Sequence, residues 1–255
     1  MSMHDFYRII ARLYDSEHHD QTDDLALYEA VADRRGAPIL IVGSGTGRAL
    51  LHLAEAGHET HGIEREDAMR LRAAAHLDIL PHLRDRVTLH AGDALQVALD
   101  TRFKLIVFPY NTFMHFLTLD TARAMLRRAR GWLERGGALL LDLPNPGEAF
   151  AGADSDALTL ERQFTDQETG DTVMQFSTSH LDRAAQIMDV TWVYDAVSAD
   201  GMVRRTIAPT RIRYYFRDEL ALLLEACGFT VRAVYGDFDE SPYQDGAPRL
   251  IVEAT

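Results

Sequence analysis

Gly43, Gly45 and Gly47, spaced by single residues, stand directly after the apolar run Ile39-Leu40-Ile41-Val42. Glycine lets a backbone bend sharply and approach a ligand with no Cβ in the way. The five residues from Ile39 to Gly43, a β-branched run with no polar face, read as a parallel strand buried on both sides. Past Arg48 the apolar residues recur at Ala49, Leu50, Leu53 and Ala54 and stop at Gly57, the period and end signal of a helix. Strand, glycine bend and helix in that order place a ligand at the helix N-terminus. Two acids follow at comparable places. Glu64 closes a second short strand from about 59 to 63, and Asp93 follows Gly92 after a third strand from 87 to 90. A carboxylate at the tip of the second strand can accept two hydrogen bonds from ribose hydroxyls.

A dinucleotide site asks for Gly-x-Gly-x-x-Gly, whereas here the sixth position is Arg48 and the third glycine comes one residue early at Gly47. That argues against a pyrophosphate ligand. The spacing resembles motif I of the S-adenosylmethionine-dependent methyltransferases with the seven-stranded Rossmann-like fold, of the small-molecule type. The likeness covers roughly residues 36 to 145 closely. It implies S-adenosylmethionine as cofactor, held by the loop Gly43, Ser44, Gly45, Thr46 and Gly47, with Glu64 on the ribose. The run Glu64-Arg65-Glu66-Asp67-Ala68-Met69 resembles the family's stretch from that acid to a methionine packed on the adenine, which brings in Arg65 and Met69. In the family's Gly-Asp motif, matched by Gly92, Asp93 and Ala94, the aspartate accepts from the adenine amino group and the next N–H meets the ring. Pro109 and Tyr110, after the fourth strand, are expected beside the cofactor. One departure is Ile41, where family members usually carry an acid reaching toward the methionine end.

The elements that must position these groups suggest an α/β fold: a mostly parallel sheet with helices on both faces and an antiparallel β insertion. Phe6, Ile9, Ile10 and Leu13 lie on one face of a helix from about 4 to 14, with Tyr7 and Tyr14 seven apart and close together. The segment from Phe6 to Asp15 resembles the lid helix of small-molecule methyltransferases, which implies Tyr14 near the transferred methyl. Glu17-His18-His19-Asp20 reads as a solvated loop rather than a metal site, and Thr22 as the cap of a second helix, 23–32. A fourth strand, 103–108, leads into Pro109-Tyr110-Asn111-Thr112-Phe113-Met114-His115, beyond the carboxyl end of the sheet where ligands bind in such folds. His115 is the best-placed histidine for removing a proton, and Asn111 with Tyr110 is expected to orient the acceptor. A helix over 119–133 and a fifth strand over 138–142 follow. From 150 to 216 the pattern turns to alternating strand-like runs separated by turn residues. In that insertion Arg211, Arg213 and Tyr215 read as a strand face that could meet a carboxylate or sugar. A last helix ends at Gly228, and two strands, 229–235 and 249–254, match the family's antiparallel ending. The expected organisation is a helical lid over 1–35, a cofactor domain over 36–149 and 217–255, and the insertion over 150–216, covering the active-site end.

The chain has 255 residues, 47% hydrophobic and 25% charged, with a formal charge of -13 that weighs against a nucleic-acid partner. Its single cysteine, Cys227, allows no disulfide framework and no cysteine-rich zinc site, and reads as a buried thiol. There is no leader-like start and no run of apolar residues long enough to span a membrane, so a cytoplasmic protein is expected. It would act on a small-molecule acceptor as a monomer or homodimer. The resemblance implies methyl transfer to nitrogen or oxygen of an amino sugar, amine or amino acid. Three alternatives stay open at this point: a cofactor-binding module without transfer, an NAD-dependent oxidoreductase, and a methyltransferase of protein or RNA.

Overall fold

The computed structural model describes residues 6–152 and 155–255. Strands β1 (Ile39–Val42), β2 (Thr60–Glu64), β3 (Val87–Ala91), β4 (Phe103–Phe108) and β5 (Leu133–Pro144) run parallel, with β1 at the centre between β2 and β4. Antiparallel strands β11 (Arg249–Ala254) and β10 (Val231–Tyr235) continue the sheet beyond β5, giving the order β10-β11-β5-β4-β1-β2-β3. The expected α/β architecture is therefore the observed one.

Strand residues alternate between faces, and both faces here are covered. Leu40, Val42, Ile106, Phe108, Leu139 and Leu141 pack toward α5 (Leu119–Trp132) and α7 (Arg217–Ala226). Ile39, Ile41, Leu105, Val107, Ala138 and Leu140 pack toward α2 (Asp23–Arg35) and α3 (Arg48–Glu55). Ile41 thus belongs to the second core layer and is fully buried. Between β2 and β3 lies α4 (Asp67–Asp78), and a short helix α6 (Pro146–Ala151) follows β5. Strand β5 begins at Leu133 rather than at the expected 138. Gly136, at φ 83°, kinks the strand without ending it, and the pairing with β4 shifts register there.

Residues after α6 form a separate four-stranded antiparallel sheet of β6 (Ser155–Thr165), β7 (Thr172–Asp182), β8 (Ile187–Val197) and β9 (Val203–Arg213). Its inner face supplies Val173, Tyr194, Ala196 and Ala208, which close a third core around Ile10 and Leu13 of α1 (Phe6–Glu17). Helix α1 therefore sits between this small sheet and α4. Two expectations fail nearby. Thr22 makes no side-chain cap bond, its backbone lying at φ -127° and ψ -13°. The segment 17–20 is solvated only at His19 and Asp20, because the third core and Tyr14 draw Glu17 and His18 into the interior.

Candidate active site

The carboxyl ends of β1, β2, β3 and β4 open on one cavity of ≈ 330 Å³, within the range of about 300–1,000 Å³ usual for small-molecule sites. Gly43, Ser44, Gly45 and Thr46 line it from β1, Glu64, Arg65 and Met69 from β2 and α4, Gly92, Asp93 and Ala94 from β3, and Pro109 and Tyr110 from β4. Tyr14 and His115 also line it. Residues up to about seventy positions apart, brought together in the sequence by strand-end placement and the family resemblance, thus line one cleft.

The glycine bend is tight for a definable reason. Gly43 (φ 71°) and Gly45 (φ 57°) both adopt the left-handed conformation, which disfavours any residue with a Cβ. A Cβ on Gly43 would sit 2.6 Å from Thr112 Cγ2, so the bend also presses directly on the loop after β4. On the neighbouring strand, a Cβ on Gly62 would meet Ser44 Oγ at 2.7 Å. The Ser44 hydroxyl itself is buried, borders the cavity and has no hydrogen-bond partner. Gly47 does not line the cavity. Its amide donates to the Ser44 carbonyl (2.9 Å) and its carbonyl accepts from Leu51 N (2.8 Å), so it caps the start of α3.

Glu64 accepts from Gly45 N through Oε2 and from Glu66 N through Oε1, each at 2.8 Å. Burial raises its pKa above the usual carboxylate range, and the two N–H donors pull the other way. Asp93 Oδ1 accepts from Leu95 N at 2.8 Å. Each carboxylate keeps lone-pair capacity for donors on a ligand. Arg48, which the sequence reading passed over as a site residue, borders the same cavity and is held bidentately by the fully buried Asp24, at 2.7 and 2.5 Å.

At the other end the wall is aromatic. Tyr7 OH lies 2.7 Å from His115 Nε2, and the Tyr7 and Tyr14 rings meet edge to face at 6.3 Å. Tyr14 stacks on His18 (4.2 Å), whose ring abuts Tyr110 (5.7 Å). Tyr7 was missing from the expected site residues, although its spacing of seven from Tyr14 already put both on one helical face. Burial lowers the His115 pKa to about 4, with the positive charge of Arg65 adding to the effect, so the imidazole is neutral at neutral pH. Burial likewise raises the Tyr7 and Tyr14 phenols well above their ordinary value. His115 therefore sits where expected but is poorly suited to take a proton.

Asn111 corrects the sequence reading. It does not line the cavity. Its side-chain oxygen accepts from Arg249 Nη2 (2.9 Å), and Arg249 in turn holds Asp142 through Nε at 2.9 Å. Asp142 also accepts from Tyr28 OH (2.5 Å) and from Tyr110 N (3.1 Å). Tyr110 and Asn111 are consecutive non-glycine residues at φ 35° and 67°. Such conformations persist where surrounding contacts over-determine them, and this network does so, turning the Tyr110 ring toward the cavity. Arg211, Arg213 and Tyr215 are spent on Asp189, Glu219 and the Phe116 carbonyl. Among the described residues, none from β6 to β9 lines the cavity, so the small sheet braces α1 and does not shape the site directly.

Residues 39–137 match the family described as methyltransferase domain. This chain is an S-adenosylmethionine-dependent methyltransferase. The methyltransferase is 28% identical over 224 residues to the cypemycin N-terminal methyltransferase of a Streptomyces species, covering 85% of this chain and 82% of that one. In fold it is similar to the CcbJ methyltransferase of Streptomyces caelestis, at 24% identity and a TM-score of 0.77, covering 91% of this chain and 94% of that one. It also resembles CalS10, an amino pentose methyltransferase of Micromonospora echinaspora, at 22% identity and a TM-score of 0.67, covering 93% and 91% of the two chains. The residues present suit the cofactor: a backbone bend with no Cβ, two carboxylates with acceptor capacity to spare, and one buried hydroxyl lacking a partner are what a ribonucleoside would satisfy. Among the described residues, no helix of the methyltransferase is long and apolar enough to cross a membrane.

Proposed function

We propose that this methyltransferase acts on an amine nitrogen of a small molecule, with amino sugars, amines and amino acids as the acceptor classes. The observation that carries the reading is the neutral, buried His115 in an aromatic wall whose phenols are also held in their protonated form. Attack by a hydroxyl requires a group that takes its proton, and that wall has none active near neutral pH. An amine that arrives unprotonated needs no such group. The names of two similar proteins, an N-terminal methyltransferase and an amino pentose methyltransferase, also point to amine-bearing acceptors.

In this reading Glu64 takes the ribose hydroxyls, Asp93 and Ala94 the adenine edge, and Met69 with Arg65 the adenine faces. S-adenosylmethionine supplies the activated methyl group on a positively charged sulfur. The protein's part is orientation and exclusion of water. Tyr7 and His115, joined by their hydrogen bond, present one polar point in an otherwise aromatic surface and so orient the acceptor nitrogen, while Tyr14 packs beside the methyl. The acceptor nitrogen, held at the Tyr7–His115 pair, would take the methyl group with its lone pair. The resulting ammonium gives its proton to water. Residues 6–35 of the expected 1–35 lid serve as the lid, and the sheet β6–β9 as its brace; residues 1–5 lie outside the described residues.

The test pairs amines with the corresponding alcohols and follows methylated product by mass spectrometry. N-methyl products are expected, with a rate that rises with pH through the acceptor's own pKa. Methyl ethers alone would overturn the nitrogen reading, and absence of heat on titrating S-adenosylmethionine would overturn the functional reading as a whole.

A further inference from the structure

Seven carboxylates are buried among the described residues, and they divide sharply by partner. Asp24, Asp142, Asp166, Asp195 and Glu253 each pair with an arginine, namely Arg48, Arg249, Arg12, Arg205 and Arg35. Glu64 borders the cavity and is held by backbone N–H groups. Glu17, at the end of α1, is the exception. Its Oε1 accepts from Gln175 Nε2 (2.6 Å) and its Oε2 from Tyr194 OH (3.1 Å), both uncharged donors. The nearby Arg162 donates to the Glu17 backbone carbonyl (2.5 Å) and not to the carboxylate. A buried charge without a counter-charge is costly to keep, and the two hydrogen bonds fix its position without neutralising it.

Its position says where a counter-charge belongs. Tyr14, one turn earlier on α1, and Tyr7 both line the cavity, and the negative charge of Glu17 contributes to the raised pKa of each. Two cavity-lining cations oppose it. Arg48 is already matched by Asp24, and Arg65 lies alongside Glu66.

We propose that Glu17 is a positioning residue whose buried, cation-free carboxylate, behind the Tyr7–Tyr14 wall, is the counter-charge for the sulfonium of S-adenosylmethionine. The charged methyl donor is thereby held in preference to neutral S-adenosylhomocysteine. The inference rests on the functional reading above.

The experiment is calorimetric titration of both ligands into the full-length protein and into Glu17→Gln, which keeps size and hydrogen bonding and removes charge. With the loss of one charge acting through partly polar protein, S-adenosylmethionine affinity should fall about tenfold and S-adenosylhomocysteine affinity should stay within about twofold. Glu17→Asp, which keeps the charge, should restore most of the preference. Equal losses for both ligands, or no loss for either, would overturn the proposal by showing a purely structural role. If Glu17→Gln does not fold, Gln175→Lys sets an ammonium against the carboxylate and should produce the same selective loss. An unchanged ratio there also overturns it. Failure of the unaltered protein to bind either ligand would instead remove the functional reading.

Discussion

The two halves of the cavity wall are made by different means. The cofactor half is backbone bends and strand tips: Gly43, Gly45, Glu64 and Asp93 all lie at or within three residues of the end of a parallel strand, and the two acids are held by backbone amides. The aromatic half hangs on α1, whose place is set by side chains far away in sequence, such as Arg12 with Asp166, Arg72 with Asp15 and Glu168, and Gln175 with Glu17. In the proposed reading, local geometry positions the nucleoside, and long-range pairing positions whatever receives the methyl group.

That contrast can be broken from its best-supported side. Asp142 is a long-range centre beneath the cavity, joining Arg249, Tyr28 and the Tyr110 amide. Asp142→Ala leaves a buried arginine unpaired and should lower unfolding free energy by about 3–5 kcal/mol in denaturant titration. A cost below about 1 kcal/mol would mean that the backbone alone holds this half.

The aromatic half should show its burial through pH. His115 has its pKa depressed in the folded state, from 6.5 to about 4, so folding favours the neutral ring. The associated stability is complete above the unfolded value and is lost as pH falls through this window, amounting to about 3 kcal/mol. His115→Asn should flatten that limb of a stability-versus-pH curve relative to the unaltered protein.

Separation of the two roles is the next and smaller effect. Glu64→Ala should weaken S-adenosylhomocysteine binding about a hundredfold by calorimetry, the value of two charge-assisted hydrogen bonds partly replaced by water. Tyr7→Phe should leave that affinity unchanged and lower kcat about tenfold, the loss of one hydrogen bond to His115. A Tyr7 variant that loses cofactor affinity instead would merge the two halves. Smallest of all, Arg72→Ala removes a partly exposed link from α4 to α1 and to the β6–β7 turn, and should cost about 1 kcal/mol or less by thermal unfolding.

The same division explains what could be read in advance. The shared cleft of the glycine bend, Glu64 and Asp93 was legible because each stands at its own strand end, and the seven-stranded sheet followed from the resemblance that those motifs carry. Gly47 was expected in the cofactor loop, but it does not line the cavity, and its left-handed conformation starts α3. Asn111 was misread because Arg249, the partner that claims its side chain, comes from the last strand, 138 residues later. Glu17 and His18 looked like a solvated turn because nothing adjacent in sequence announces a sheet that covers them. Tyr7 was the avoidable omission, since its helical face was already plain.

Helix α1 touches α4 on one side and the small sheet on the other. It is thus a wedge pinned at both flanks. Swinging that wedge outward means either dragging the whole four-stranded flap with it or breaking the Asp15, Asp166 and Glu17 contacts together. Where ligands pass beneath such a wedge, its opening and not the chemistry sets the turnover rate.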